Sequence, residues 1–175
     1  MEQALIAPAA EAPREADLVF ERLYRSSRDD IYAYVASLLR DQAAAEEVTA
    51  AAFERAYRKR SRFDPSRGEP RAWIFGIARN AALDELRRRG RQAELAEEPV
   101  DSGTSDVAEQ SHLRLSLAAA LACLTPGERE LIALKHYAGF SNAEIAALTG
   151  TSESNAGTKL HRAMTKLREA CDGVL

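Results

Sequence analysis

The sequence predicts an all-α protein made of two small helical domains, a four-helix bundle and a helix-turn-helix unit, joined by a flexible acidic linker. Three observations predict it. Apolar residues recur at three- and four-residue spacing along most of the chain, the period of a helix with one buried face. Two capping boxes, Thr125 with Glu128 and Ser141 with Glu144, mark helix starts, and the cluster SRFDPSRGEP (Ser61–Pro70) marks a loop. Charge is segregated: residues 92–110 hold six acids (Glu94, Glu97, Glu98, Asp101, Asp106, Glu109), no Lys or Arg, and the breakers Pro99 and Gly103.

The elements follow in order. Residues 1–16 are rich in Ala, Pro and Glu without apolar periodicity and read as a disordered tail. Asp17 is placed to cap a helix carrying Leu18, Phe20, Leu23 and Tyr24. The polar interval Ser26–Asp30 separates it from a second, with Ile31, Tyr34, Val35, Leu38 and Leu39. Asp41 caps a third, whose stripe is Ala45, Val48, Ala52 and Ala56, with Phe53 and Tyr57 beside it. The fourth runs from Arg71 to Arg91. The boundaries expected are therefore a tail (1–16), a first domain (17–91), a linker (92–110) and a second domain (111–175). The second begins with a helix over about Val107–Leu124. It continues with the helix started at Thr125 and Pro126, the short NAEIAALTG helix closed by Gly150, and a longer helix to about Ala170.

The Arg71–Arg91 helix is the stretch on which function concentrates. Its apolar arc holds Trp73, Ile74, Phe75, Ile77, Ala78, Ala81, Ala82 and Leu86; opposite lie Asn80, Asp84 and Arg87, with Arg79 at the edge. Arg87, Arg88, Arg89 and Arg91 close it, more cation than a helix C-terminus needs to complement its dipole. Between Phe53 and Arg91, twelve Lys or Arg oppose five acids, a local +7 in a chain whose net charge is −3. An amide and guanidinium groups on one rigid face suit base edges and phosphates, and the segregation is a polyanion-binding footprint.

The last two helices have helix-turn-helix proportions. Ala156, Leu160, Ala163, Leu167 and Cys171 form the inner stripe of the second; Asn155, Thr158, Lys159, Arg162 and Lys166 share the outer face, flanked by His161. The N-terminal turns of such a helix enter the major groove, which makes these residues the candidate base and phosphate contacts. Gly157, inside the helix, costs about 1 kcal/mol relative to Ala.

Other chemistries lack their residues. No paired carboxylates, nucleophile–base set, phosphate-cradling Gly loop or metal spacing appears, so neither catalysis nor a cofactor is expected. His112, His136 and His161 have no partner at ligand spacing. Cys123 and Cys171 fall at apolar helical positions and read as buried, reduced thiols. No apolar run approaches the ~20 residues that span a bilayer, and the N-terminus lacks a signal peptide's basic start and apolar core. A cytoplasmic protein without a membrane partner is expected.

These constellations, in this order, resemble a bacterial sigma factor of the small extracytoplasmic-function group within the sigma-70 family. The resemblance spans about Phe20 to Glu169 and is carried by FERLYR (Phe20–Arg25), RAWIFGIARNAALDELRRR (Arg71–Arg89), LTPGERELIALKHYAGFSNAEIAALTG (Leu124–Gly150) and TKLHRAMTKLRE (Thr158–Glu169). It implies that the first bundle (domain 2) binds the clamp coiled coil of core RNA polymerase, melts promoter DNA and reads the minus-ten element. It implies that the second unit (domain 4) docks on the polymerase flap and reads the minus-thirty-five element, and that an anti-sigma factor is a further partner.

Residue by residue, the resemblance implies minus-ten contacts from Arg62, Phe63, Arg67, Arg71, Trp73, Arg79, Asn80, Arg87, Arg88 and Arg89. The loop Arg62–Glu69 would capture a flipped base, for which Phe63 and Trp73 offer a stacking wall. Minus-thirty-five contacts would come from Asn155, Thr158, Lys159, His161, Arg162 and Lys166, and polymerase contacts from Glu46, Glu47, Thr49 and Phe53. The chain departs from the pattern where Ala50 and Ala51 replace the usual Gln-Glu, and where Gly157 and Lys159 replace a basic residue and an Arg. The alternatives are a sigma-like decoy that sequesters an anti-sigma factor, and a helix-turn-helix regulator using only its C-terminal unit.

Overall fold

The computed structural model describes residues 15–95 and 119–172, apart from the side chains of Ala16, Arg67 and 93–95. Every regular element among them is helical. The expected linker 92–110 and most of the expected helix 107–124 lie outside the described residues; the described end of that helix, 119–122, is helical.

The first unit has three long helices where four were expected. Helix α1 runs unbroken from Glu15 to Leu39, through the polar interval Ser26–Asp30. That interval contains no Gly or Pro, Ser26 satisfies its hydroxyl within the helix on the Leu23 carbonyl (3.2 Å), and Ser27 is buried. Polarity alone does not end a helix when its hydroxyls find partners one turn back. Two residues then turn the chain. Arg40 adopts φ +53, the left-handed conformation common just past a helix end. Asp41 caps α2 (Gln42–Lys59), its side chain accepting from the Ala44 N–H at 3.0 Å.

The loop after α2 is built from two 3-10 turns, Arg60–Arg62 and Pro65–Arg67. Asp64 organises it by accepting from both the Ser66 N–H (3.0 Å) and hydroxyl (2.7 Å). Gly68 follows at φ 142, ψ 178, a conformation essentially restricted to glycine, which turns the chain into α3. Helix α3 starts at Pro70, whose missing N–H and fixed φ suit a first turn, and extends to Leu95, four residues past the expected end. Ile31, Tyr34, Val35, Ala45, Ala52, Phe53, Ala56, Ile74, Phe75, Ala78 and Ala82 close the core between these helices.

Helix α4 (Pro126–His136) and helix α5 (Asn142–Thr149) both begin in complete capping boxes, Thr125 with Glu128 and Ser141 with Glu144. The backbone hydrogen bonds of Thr125 and Ser141 hold Glu128 and Glu144 below the usual carboxylate range, with Lys166 adding to the effect at Glu128. Gly150, left-handed at φ 69, ends α5 and donates to the Ala146 carbonyl. Ser152 then caps α6 (Glu153–Asp172) on the Asn155 N–H. Ile145, Ala146, Ala156, Leu160 and Ala163 form the buried seam between α5 and α6.

The cysteines correct the expectation of buried thiols. Cys123 is exposed and Cys171 only half-buried; both are free. Cys123 sits where the chain leaves its helix for a turn, so the helical period that placed it inward has ended.

Candidate nucleic-acid interface

Two helical faces and one loop carry the cationic and aromatic groups. On α3, Asn80, Asp84, Arg87 and Arg88 are exposed. Arg87 pairs with Asp84 at 3.0 Å, and Arg88 holds both oxygens of Glu85 at 2.7 Å. Arg88 and then Arg89 lower the Glu85 carboxyl to about 2. Surface pairs of this kind are worth little, on the order of 0–1 kcal/mol, so phosphates can take the outer guanidiniums. Arg89 is committed differently: it bridges Glu85 (2.7 Å) and Asp41 (2.9 Å) and is half-buried. Its expected phosphate contact gives way to a structural link between α3 and the start of α2.

Phe63 of the loop and Trp73 in the first turn of α3 meet with ring centroids 5.3 Å apart and planes tilted by 49°. Both are half-buried and together line two clefts. One, of about 420 Å³, lies toward Phe20, Leu23 and Pro65; the other, of about 530 Å³, lies toward Asp64, Gly68 and Leu148 of α5. An aromatic pair edging open clefts can accept a further planar ring by stacking. Arg62 is exposed beside them, and the side chain of Arg67 lies outside the described residues.

On α6, Asn155, Thr158, Lys159, His161 and Arg162 are all exposed. Asn155 donates to the Thr151 hydroxyl at 2.6 Å, which fixes its amide near the helix start. Lys166 is half-buried and paired with Glu128 at 3.1 Å, so it braces α6 against α4. Gly157 also has a packing reason. A Cβ there would sit 3.1 Å from the Asn142 amide nitrogen, so the missing side chain lets α6 approach the start of α5.

Two expected minus-ten contacts turn inward. Arg79 donates to both oxygens of Glu130 on α4, at 2.6 and 3.4 Å. Arg71 pairs with Asp30 at 2.8 Å and donates to the carbonyls of Ala138 and Tyr137, both at 3.2 Å. The helical period puts Arg79 at the edge of the apolar arc and Arg71 on the stripe of Phe75, Ala78 and Ala82; it does not say that a second unit covers them.

A further groove, of about 610 Å³, runs between α1 and α2, lined among others by Tyr24, Arg28, Tyr32, Glu46, Thr49 and Ala50. Glu46 is exposed there; Glu47 is exposed too but does not line the groove. Phe53 is not: it is 5% exposed and packs edge-to-face on Tyr24 and Phe20, so it belongs to the core and only floors the groove. Thr49 is buried, its hydroxyl oxygen without a hydrogen-bond partner among the described residues. Sequence reasoning missed Tyr24 and Tyr32 here and Glu130 across the units. The last had a signal, since an acid at position 130 stands on the same helical stripe as Leu134.

Residues 23–92 match the description Sigma-70 region 2, and residues 114–167 match Sigma-70, region 4. The RNA polymerase sigma factor CarQ of Myxococcus xanthus is 36% identical over 154 residues, covering 86% of this chain and 87% of its own. The chain belongs to the extracytoplasmic-function type of the sigma-70 family. The ECF RNA polymerase sigma factor SigK of Mycobacterium tuberculosis is 26% identical over 160 residues, covering 87% of this chain and 86% of its own. Among solved structures, CnrH in complex with the cytosolic domain of CnrY is 27% identical, with a TM-score of 0.65 and 89% of each chain covered. The sigma factor RpoE in complex with the anti-sigma factor NepR from Bartonella quintana shares the fold at 24% identity, with a TM-score of 0.70, 88% of this chain and 97% of that one covered. In this sigma factor, α1 to α3 fall within region 2 except at their outermost residues, and α4 to α6 make up most of region 4. No described helix is long and apolar enough to cross a membrane.

Proposed function

We propose that this chain recruits core RNA polymerase to specific promoters in the cytoplasm, acting as a recognition subunit with no catalysis of its own. The observation that carries the reading is the pairing of two exposed, cation-bearing helical faces, α3 in region 2 and α6 in region 4, within one sigma-family chain. Residues 17–91 serve the minus-ten element and strand separation, and residues 111–175 the minus-thirty-five element, across the linker 92–110. Asn80 reads a base edge, while Arg62, Arg87 and Arg88 neutralise phosphates. Phe63 and Trp73 hold an unstacked base. Flipping a base costs a few kcal/mol, and stacking offsets about 1–3 kcal/mol of that.

On α6, Asn155, Thr158, Lys159 and Arg162 supply contacts in the major groove. Lys159 is a point charge rather than a planar fork, so it positions more than it specifies. The α1–α2 groove with Glu46, and the exposed Glu47 beside it in sequence, take the polymerase clamp, and region 4 takes the flap. An anti-sigma factor is a second protein partner; CnrH, a similar chain, binds another protein, the cytosolic domain of CnrY.

Purified chain added to core polymerase initiates from defined start sites on a promoter library. Absence of any promoter-dependent transcript, together with tight capture by an anti-sigma protein, would replace this reading with that of a decoy.

A further inference from the structure

Thr49 breaks a rule that two other helical threonines keep. Thr149 and Thr165 each donate to the carbonyl one turn back, at 2.7 and 3.1 Å, the usual way a hydroxyl is satisfied inside a helix. Thr49 stands in the middle of α2 and is 7% exposed, yet its Oγ1 makes no hydrogen bond among the described residues. A buried, unpaired hydroxyl weakens a fold, and a valine of similar shape would avoid the loss. A partner arriving from outside gives the hydroxyl a reason to be there.

The residue lines the α1–α2 groove. Ala50, next in sequence, is exposed and too short to fill it; Phe53 floors it, and Tyr24 and Tyr32 of α1 stand in its wall. Of the three charged side chains that line it, Arg28 and Asp29 pair with each other at 3.1 Å. Glu46 is exposed and makes no ion pair among the described residues. It stands three residues before Thr49, so the two share one face of α2. The groove thus holds a carboxylate without a cation and a hydroxyl without a partner, beside two aromatic rings.

We propose that this groove takes an arginine side chain carried by core polymerase, its guanidinium lying against the Tyr24 and Tyr32 rings and donating to both Glu46 and Thr49 Oγ1. The proposal rests on the reading of the groove as a polymerase site. A guanidinium fits where an ammonium does not: its donors diverge in one plane toward two acceptors, while its face stacks on an aromatic ring. An acidic or neutral side chain would leave Glu46 uncompensated. Thr49 is then a binding group held unpaired in the free chain. Stability and affinity pull in opposite directions at this one residue.

The test compares the full chain with Thr49→Val, Thr49→Ser, Glu46→Gln and the Thr49→Val, Glu46→Gln double variant. Two quantities are measured: the midpoint of thermal unfolding of the free chain, and competition with fluorescently labelled wild-type chain for core polymerase. Thr49→Val raises the midpoint by roughly 2–8 °C and weakens polymerase binding about 10–100-fold. Thr49→Ser, which keeps the hydroxyl, binds within about 3-fold of wild type. Glu46→Gln weakens binding about 2–5-fold. The double variant loses less than the product of the two single losses, because both groups hold one guanidinium.

A lower midpoint in Thr49→Val would show the hydroxyl to be satisfied in the free chain and would overturn the proposal, as would undiminished binding by that variant. Single losses that multiply in full would assign the two groups to separate contacts and overturn the shared guanidinium. Failure of the wild-type chain itself to bind core polymerase would remove the polymerase reading, and this proposal with it. Intact wild-type binding beside an unaffected Thr49→Val removes this proposal alone.

Discussion

Arg89 near the end of α3 lies 2.9 Å from one oxygen of Asp41, whose other oxygen caps α2 on the Ala44 N–H. One carboxylate thus starts a helix and ties it to the tail of another. Asp41→Ala removes both functions. The cap contributes about 0.5–2 kcal/mol, and the partly exposed ion pair adds little. We expect the midpoint of thermal unfolding to fall by roughly 4–8 °C per kcal/mol lost. Asp41→Asn, which keeps an acceptor for the cap, retains most of the stability. Equal losses in the two variants would show that the ion pair, not the cap, dominates.

Asn80 and Arg88 separate base reading from phosphate binding. With polymerase present, Asn80→Ala changes the ranking of minus-ten sequences, relaxing preference at one position by about 1–3 kcal/mol. Arg88→Ala weakens binding to all sequences and lowers the slope of log affinity against log salt by about 1. Binding to a promoter series at several salt concentrations distinguishes them; identical behaviour of both variants and wild type would contradict these roles.

Phe63→Ala removes one wall of the Phe63–Trp73 pair without touching a buried core residue. Duplex binding is retained, while strand opening, followed by a fluorescent base analogue in the minus-ten element, slows by roughly the 1–3 kcal/mol of one stacked base. Trp73→Phe preserves most of the opening rate. Normal opening in Phe63→Ala would remove the aromatic pair from that role.

Glu85 sets part of the acid limb of stability. Its carboxyl lies at about 2 in the folded chain, lowered mainly by Arg88 from an ordinary 4.5. A carboxylate with a depressed folded value contributes stability above its unfolded value and loses it as pH falls toward the folded one. The contribution is therefore complete above about pH 4.5 and disappears between there and about pH 2. Glu85→Gln lowers stability at pH 7 and flattens the unfolding profile over that window. An unchanged profile would mean that Arg88 does not hold Glu85 in solution.

Most of the helices were legible because their signals are local. Asp41, Thr125, Ser141 and Gly150 act within four residues of themselves, and each does in the structure what its position foretold. The break at Ser26–Asp30 was misread because polar composition imitates a loop, whereas Ser26 bonds within the helix and Ser27 is buried against Arg71. The exposed residues of α6 were legible as a face from period alone. The inward turn of Arg71 and Arg79 was not, because their partners Tyr137, Ala138 and Glu130 stand more than fifty residues away. Periodicity reports which side of a helix is covered and is silent on what covers it. Period alone gives Gly157 only its helix cost; its reason is the tertiary contact with Asn142.

The unbroken α1 has a mechanical consequence. At about 1.5 Å per residue its 25 residues form a rod of roughly 37 Å, bearing Tyr24 and Tyr32 toward the α1–α2 groove and Tyr34 toward Glu130. With no hinge between these stations, a load placed on one is delivered to the other as a tilt of the whole shaft. A ligand gripping the groove therefore pulls on the same lever that Glu130 holds.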